Sequence, residues 1–408
     1  MENKIEKYAE LLVKIGINIQ QDQILVINSP IECADFARKV TKKAYEAGAR
    51  EVIIRWNDEQ STRLRYKMAN DEVFDEVHNW DVEFLNQTVD KDAAYLRIAA
   101  SDPELMHDVD PKKMARQNKV LTGAIEYYRS KLMSNANVWC VASIPTLSWA
   151  KKVFPDTKSP GEAMSRLWNA IFNSVRINQE KPVEAWREHQ NILSSRNDFL
   201  NNNNFKSLRY KNSLGTDVVV DLVENHIWFG GGEESLKGQM FIANMPTEEV
   251  FTMPEVNGVN GKIVSSMPLN YNGSLIEDFS FIFKDGVVID FDAKNGKDVL
   301  EELLNTDDGA RRLGEVALVP YDSPISNQKI LFYNTLFDEN ASCHFALGKA
   351  YPINIKGGTE MTKEELIKSG ANDSLVHVDF MVGTEDLEIT GIKEDGVEVP
   401  VFRNGNFV

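Results

Sequence analysis

A chain of 408 residues, 42% hydrophobic and 26% charged, is ordinary in composition for a globular protein but too long for one typical core, so two domains are expected. Its net charge of −17 is unevenly placed: residues 1–200 balance to −1 and residues 201–408 to −16. No basic stripe is available for phosphates and no run of 18 apolar residues is available for a bilayer, which argues against nucleic-acid and membrane partners and leaves bound cations permitted.

The N-terminus, "MENKIEKYAELLVKIG", places Ile5, Tyr8, Leu12 and Ile15 at helical spacing and predicts a helix over about 2–16. It lacks the apolar core of a signal peptide, so a cytoplasmic location is expected. "ILVIN" (24–28) reads as a strand, then a helix near 32–47 ends at Gly48, and "EVIIRW" (51–56) is a second strand. "AAYLRIAA" (93–100), a helix around 111–134 and "VWCVASI" (138–144) continue the alternation, which implies an α/β unit with a mostly parallel sheet. No glycine fingerprint follows any of these strands, so nucleotide binding has no local support. Two helical stretches close this part, 159–177 and 182–200, the first with a start signal in Ser159, Pro160 and Glu162.

From about 205 the pattern turns to strands and turns, including "FSFIFKDGVVIDFDA", "LVHVDFMVG" and "VEVPVFRNGNFV", with hairpin turns at Asp285-Gly286 and Asn404-Gly405. "GGG" at 230–232 and "NGVNGK" at 257–262 read as loop backbone. The expectation is an α/β domain over 1–204 with trailing helices and a β-rich α+β domain over 205–408.

Chemistry concentrates in the second part. Three cysteines, Cys33, Cys140 and Cys343, are widely spaced and odd in number, which argues against a disulfide framework and against a closed cysteine-rich zinc site. Cys343 beside His344 raises a Cys/His nucleophile, but a cysteine framed by Ala341, Phe345 and Ala346 reads as packing. Of six histidines, none lies in an HExxH signature. In "SLVHVDFMVG", period-two alternation puts His377 and Asp379 on one strand face, about 7 Å apart at Cα, close enough to share an ion; a salt-bridged histidine is the plain alternative. In "FDENASCHFALGKAYP", Asn340 is expected to cap a helix that carries His344 and Tyr351, seven apart, on one face, with Glu339 just ahead of the cap. Glu315 before "VALVP", and Glu248 and Glu249 before "VFT", are charges entering apolar strands, which costs several kcal/mol unless they are paired or metal-bound. Such an oxygen-rich set with two imidazoles favours a two-metal centre, in which ions about 3.5–4 Å apart share carboxylates and activate water.

The blocks "NMPTEEVFTMP", "LGEVALVP", "NTLFDENASCHFALGKAYP" and "HVDFMVG", with chain length and block order, resemble the aminopeptidase T/aminopeptidase S (PepS) family of metalloaminopeptidases over the whole chain. That resemblance implies metal ligands at Glu249, Glu315, Glu339, His344, His377 and Asp379 and a catalytic tyrosine at Tyr351. Glu249 is preferred to Glu248 because the family's glutamate directly precedes Val-Phe-Thr. The implied activity is release of N-terminal amino acids from small peptides by a metal-bound hydroxide, with two divalent ions (Zn2+, Co2+ or Mg2+), Glu315 or Glu249 as the proton carrier and Glu315 preferred. A homodimer enclosing its active sites is also implied, while Asp338 reads as a helix-start or supporting residue. The rival readings are another dinuclear hydrolase, such as a phosphoesterase using Arg311, Arg312 or Lys349, and a non-enzymatic protein with a structural ion.

Overall fold

The structure, a computed structural model, describes residues 1–106, 108–271 and 274–408; His107, one of the six histidines, lies outside the described residues. The architecture is mixed α/β, with one parallel sheet and several antiparallel ones. Two compact units are present, Met1–Glu188 with Gly232–Pro246, and His189–Gly231 with Thr247–Val408. They depart from a boundary at 204 in two segments. Most of the helix Pro182–Asn203 goes with the second unit, and a return segment at 232–246 supplies an edge strand to the first.

In the first unit, five parallel strands run in the order Glu51–Asn57, Ile24–Pro30, Ala94–Ile98, Trp139–Ala142, Asn244–Met245. Leu25, Val26 and Ile27 are wholly buried, as expected of a strand inside a parallel sheet. The helix expected over 2–16 is an α-helix only to Leu11, and Leu12–Gly16 continues as a π-helical turn. The helix expected over 111–134 is two helices, Pro111–Ala124 and Glu126–Met133. Ser159 caps the helix Pro160–Ser174 by accepting the Glu162 N–H.

The second unit is built on a nine-stranded antiparallel sheet and a smaller four-stranded one. The small sheet orders Val250–Thr252, Leu313–Leu318, His344–Gly348 and His377–Met381, all antiparallel. One of its faces joins the unit's main core through Val316, Leu318, Phe345, Leu347 and Phe380. The helix expected from Asn340 onward is absent: Thr335–Asp338 and Glu339–Ala341 are single helical turns, and a strand starts at His344. Ala346, one of the small residues that read as helix, lies with Gly348 in this fully buried strand, while Ala341 and Ser342 precede it. Among the described residues no helix is long and apolar enough to cross a membrane.

Candidate metal centre

Antiparallel pairing puts directly opposed side chains on the same face. In the small sheet Ala346 pairs with both Glu315 and Asp379, His344 with Ala317 and Met381, and Gly348 with His377. Glu315, His344, His377 and Asp379 therefore share the face opposite the core. Ala346 leaves open the space between the two carboxylates. Glu249, directly before Val250, points the same way as Phe251, which pairs with Ala317.

A bulge aims the central carboxylate. Pairing shifts between Leu313 and Glu315, leaving Gly314 as the extra residue. A Cβ at Gly314 would lie 2.2 Å from the Gly348 carbonyl oxygen, so only glycine fits the bulge. Gly230, in the "GGG" loop, allows similar backbone contact, because a Cβ there would meet the Glu249 carbonyl oxygen at 2.3 Å.

The donor atoms form two groups that share Glu315. Glu249, Glu315 and His344 make one, and Glu315, His377 and Asp379 the other, with the ligand atoms in each within 4.8 Å of one another. His344 Nε2 lies 3.2 Å from Glu249 Oε2 and 3.6 Å from Glu315 Oε1. His377 Nε2 lies 3.4 Å from Glu315 Oε2 and 3.5 Å from Asp379 Oδ1. The two oxygens of Glu315 thus face different imidazoles.

These residues fit divalent cations on two observations. The Nδ1 atoms of both histidines donate to backbone carbonyls, His344 to Ser342 at 3.0 Å and His377 to Lys349 at 2.7 Å. That fixes the rings and directs Nε2 into the site, as metal-binding histidines require. The second observation is charge: four carboxylates (with Glu339) outnumber two imidazoles, and the buried Glu249 Oε2 has the His344 ring, 3.2 Å away, beside it. A buried surplus of negative charge is costly unless a cation offsets it.

Titration directions follow from the same crowding. Burial raises the Glu315 carboxyl against the nearby histidines, and burial with the Asp379 and Glu249 charges holds Glu339 well above the usual range. For His344 burial acts downward, but Glu249 and Glu315 outweigh it and hold the ring well above its ordinary value. His377 is likewise lowered by burial yet brought up to about 9 by Asp379 and Glu315. For Asp379 burial acts upward, and His377 overcomes it to lower the carboxyl.

Glu339 belongs to neither donor group, although its carboxylate feels Asp379, Glu249, His344 and Glu315. Asn340 is not the expected helix cap; Asn334 is, accepting the Leu336 N–H. Asn340 instead accepts the Glu248 N–H through Oδ1 at 2.8 Å and donates through Nδ2 to Glu339 Oε1 at 3.3 Å. It thereby ties the segment carrying Glu249 to Glu339. Glu248 points elsewhere, 3.6 Å from His189 Nε2. Tyr351 is not on a helix with His344; it lies three residues past the end of that strand, its ring 4.6 Å from the His377 ring. Burial, then Glu315 and Asp379, raise its phenol well above the ordinary value, so it stays a hydrogen-bond donor.

The remaining candidates resolve simply. Cys343 donates to the Val319 carbonyl at 3.2 Å, and burial pushes its thiol up to about 12, which suits packing and not a nucleophile. Asp338 accepts the Phe332 and Asn334 N–H groups at 2.7 and 3.0 Å, and burial raises its carboxyl to about 7. His226 donates to the Val223 carbonyl, and His78 stacks on Trp80. Sequence reasoning missed Asn340 as a brace and Gly314 as a bulge; both lie inside or beside the quoted blocks, but neither role has a local pattern.

The thermophilic metalloprotease (M29) family matches residues 1–407. "Aminopeptidase 2" of Geobacillus stearothermophilus is 50% identical over 100% of this chain and 98% of its own. "Aminopeptidase AmpS" of Bacillus subtilis (strain 168) is 44% identical over 99% of this chain and 98% of its own. Among solved structures, wild-type AmpT from Thermus thermophilus superposes with a TM-score of 0.94 at 38% identity, covering 100% of this chain and 99% of that one. The chain belongs to the M29 family of metallopeptidases. Its activity is that of a metal-dependent aminopeptidase, a hydrolase that takes amino acids from peptide N-termini. The phosphoesterase and non-enzymatic readings are set aside with that finding.

Proposed function

We propose that the polar face of the four-stranded sheet is the catalytic centre, holding two divalent ions, with Zn2+, Co2+ and Mg2+ as the candidates. The observation that carries this is Glu315, whose oxygens each face a separate donor group. In this reading Glu249, Glu315 and His344 hold one ion and Glu315, His377 and Asp379 the other, with Glu339 completing the set. Bound there, such ions would lower the pKa of a coordinated water and polarise the scissile carbonyl.

The chain's own residues do the rest. Of the two carboxylates expected to carry the proton, Glu249 fits the role, because it belongs to one donor group only while Glu315 has an oxygen committed to each; Glu249 takes the water's proton and returns it to the leaving amine. Tyr351 donates its hydroxyl to the oxyanion that forms on the carbonyl oxygen. Asn340 keeps the Glu249 segment and Glu339 in register. A homodimer that limits access to small peptides, a cytoplasmic location, and confinement of the metal chemistry to the β-rich part after residue 205 belong to the same proposal.

The test is metal content read beside turnover. His344→Ala and His377→Ala should each lose bound metal and aminopeptidase activity together, since each removes a donor that others hold in place. His226→Ala, outside both donor groups, should retain both. Normal turnover with two ions per chain in either His344→Ala or His377→Ala would sink the assignment.

A further inference from the structure

The irregular segment Lys329–Tyr333 runs beside the candidate centre and has an uncommon backbone. Among the described residues twelve other than glycine have positive φ, and nine of those are Asn or Asp, which tolerate it. Of the remaining three, two are Lys329 and Tyr333, each at φ 53°. A lysine and a tyrosine held this way need an anchor, and a buried one is present. The Asp338 carboxylate accepts the Phe332 and Asn334 N–H groups, and Phe332 stacks on Phe337 with ring centres 4.6 Å apart. Asp338 directly precedes Glu339, so one turn fixes both the segment and the edge of the centre.

Two cavities adjoin this segment. One is lined by Leu331, Tyr333, Asp338, Asp379 and Met381, and so opens onto the metal-site face of the sheet. The other is lined by Tyr321, Lys329, Leu331, Ser342 and Glu385. Leu331 is common to both, so the two cavities adjoin at that side chain. Lys329 is the one cationic residue among both linings. Its Nζ donates to the Tyr321 hydroxyl at 2.7 Å and lies 4.1 Å over that ring, and no carboxylate among the described residues pairs with it.

We propose that Lys329 binds the C-terminal α-carboxylate of short peptide substrates and so sets a preference for free tri- and tetrapeptides. This rests on the centre assigned above, where the substrate's amino end would sit. A peptide extended from that end advances about 3.3–3.6 Å per residue. From Tyr333, at the cavity shared with Asp379, to Lys329 is four residues, so no more than about 14 Å separates their Cα atoms. A tri- or tetrapeptide carries its carboxylate about that far. Arriving among carboxylates, it needs a cation, and Lys329 is the one present. Glu385, in the same lining, opposes the binding and tunes it down.

The experiment compares kcat/KM for tri- and tetrapeptides as free acids and as C-terminal amides, using the metal-loaded enzyme. The acid-to-amide ratio should fall about fivefold in Lys329→Met, carried by KM, in line with one exposed-to-partly-buried ion pair. Lys329→Arg should keep the ratio, and Glu385→Gln should raise it. For a decapeptide, whose carboxylate lies past this compartment, the ratio should be the same in wild type and Lys329→Met. An unchanged tripeptide ratio in Lys329→Met, or an Arg variant as impaired as Met, overturns the proposal. Either result leaves the metal centre standing, because that reading fails only if His344→Ala or His377→Ala keeps metal and turnover.

Discussion

The four-stranded sheet buries both of its faces by opposite chemistry. On one, Val316, Phe345, Leu347 and Phe380 join the main core of the unit. On the other, the same strands bury Glu315 and His344 and half-bury Asp379, with Ala317, Ala346 and Gly348 between them. The first face stabilises at roughly 25 cal/mol per Å² of apolar area removed from water. The second costs several kcal/mol per uncompensated charge. A rigid apolar backing is what lets a sheet hold like charges close together, so the stable face is the precondition of the reactive one. That division can be broken one residue at a time, and three variants on or beside the strand His344–Gly348 do so with decreasing effect.

The largest effect is expected from Tyr351→Phe, just past the strand. Removing the hydroxyl keeps the ring against His377 and Phe251, so fold and metal content should persist. A lost oxyanion donor costs about 2.7–4 kcal/mol, or roughly a hundred- to a thousandfold in kcat, with a far smaller change in KM. The measurement is kcat, KM and metal stoichiometry of the purified variant. A kcat within about threefold of wild type would make Tyr351 a packing residue only.

An intermediate effect is expected from Ala346→Val. Its Cβ already stands between Glu315 and Asp379, and a branched side chain suits a strand, so the sheet should form. Two added methyl groups would occupy the gap between the carboxylates and displace both. Metal affinity should fall about 10- to 100-fold, the range found when ligand orientation is disturbed, while the melting temperature of the chelated protein stays close to that of chelated wild type. Wild-type metal affinity in this variant would mean that the gap is not where cations lie.

How much of this was legible in the sequence differs between the faces in the same way. His377 and Asp379 were readable because period-two alternation is local, and the strand His377–Met381 follows it. Glu315 stands out as a charge before an apolar run, and it lies inside the fully buried strand Leu313–Leu318. The strand at His344 reads as a helix along the chain because its small residues answer to neighbours across the sheet. Other omissions have equally physical causes. The helix Glu59–Met68 buries no residue and so carries no apolar stripe. The strand Asn244–Met245 is two residues long and is defined only by its pairing with Val141 and Ala142. Asn340 reaches a backbone N–H 92 residues away, which no pattern along the chain records.

The smallest effect, and the one that isolates the apolar face, is expected from Phe345→Leu. Phe345 is adjacent to His344 and Ala346 but points away from them, wholly buried, with its ring 5.0 Å from Tyr210 edge-to-face and 6.1 Å from Phe380. Leucine keeps most of the apolar volume and loses the aromatic pairing, so the cost should be about 1–1.5 kcal/mol. For a unit of this size that is a melting shift of roughly 2–6 °C. Because the change falls on the backing of the sheet and not on its polar side, kcat and metal stoichiometry at 25 °C should match wild type. If kcat instead drops tenfold while the variant remains folded and metal-loaded, the two faces are mechanically coupled, and the apolar side sets the donor geometry to a finer tolerance than packing alone requires.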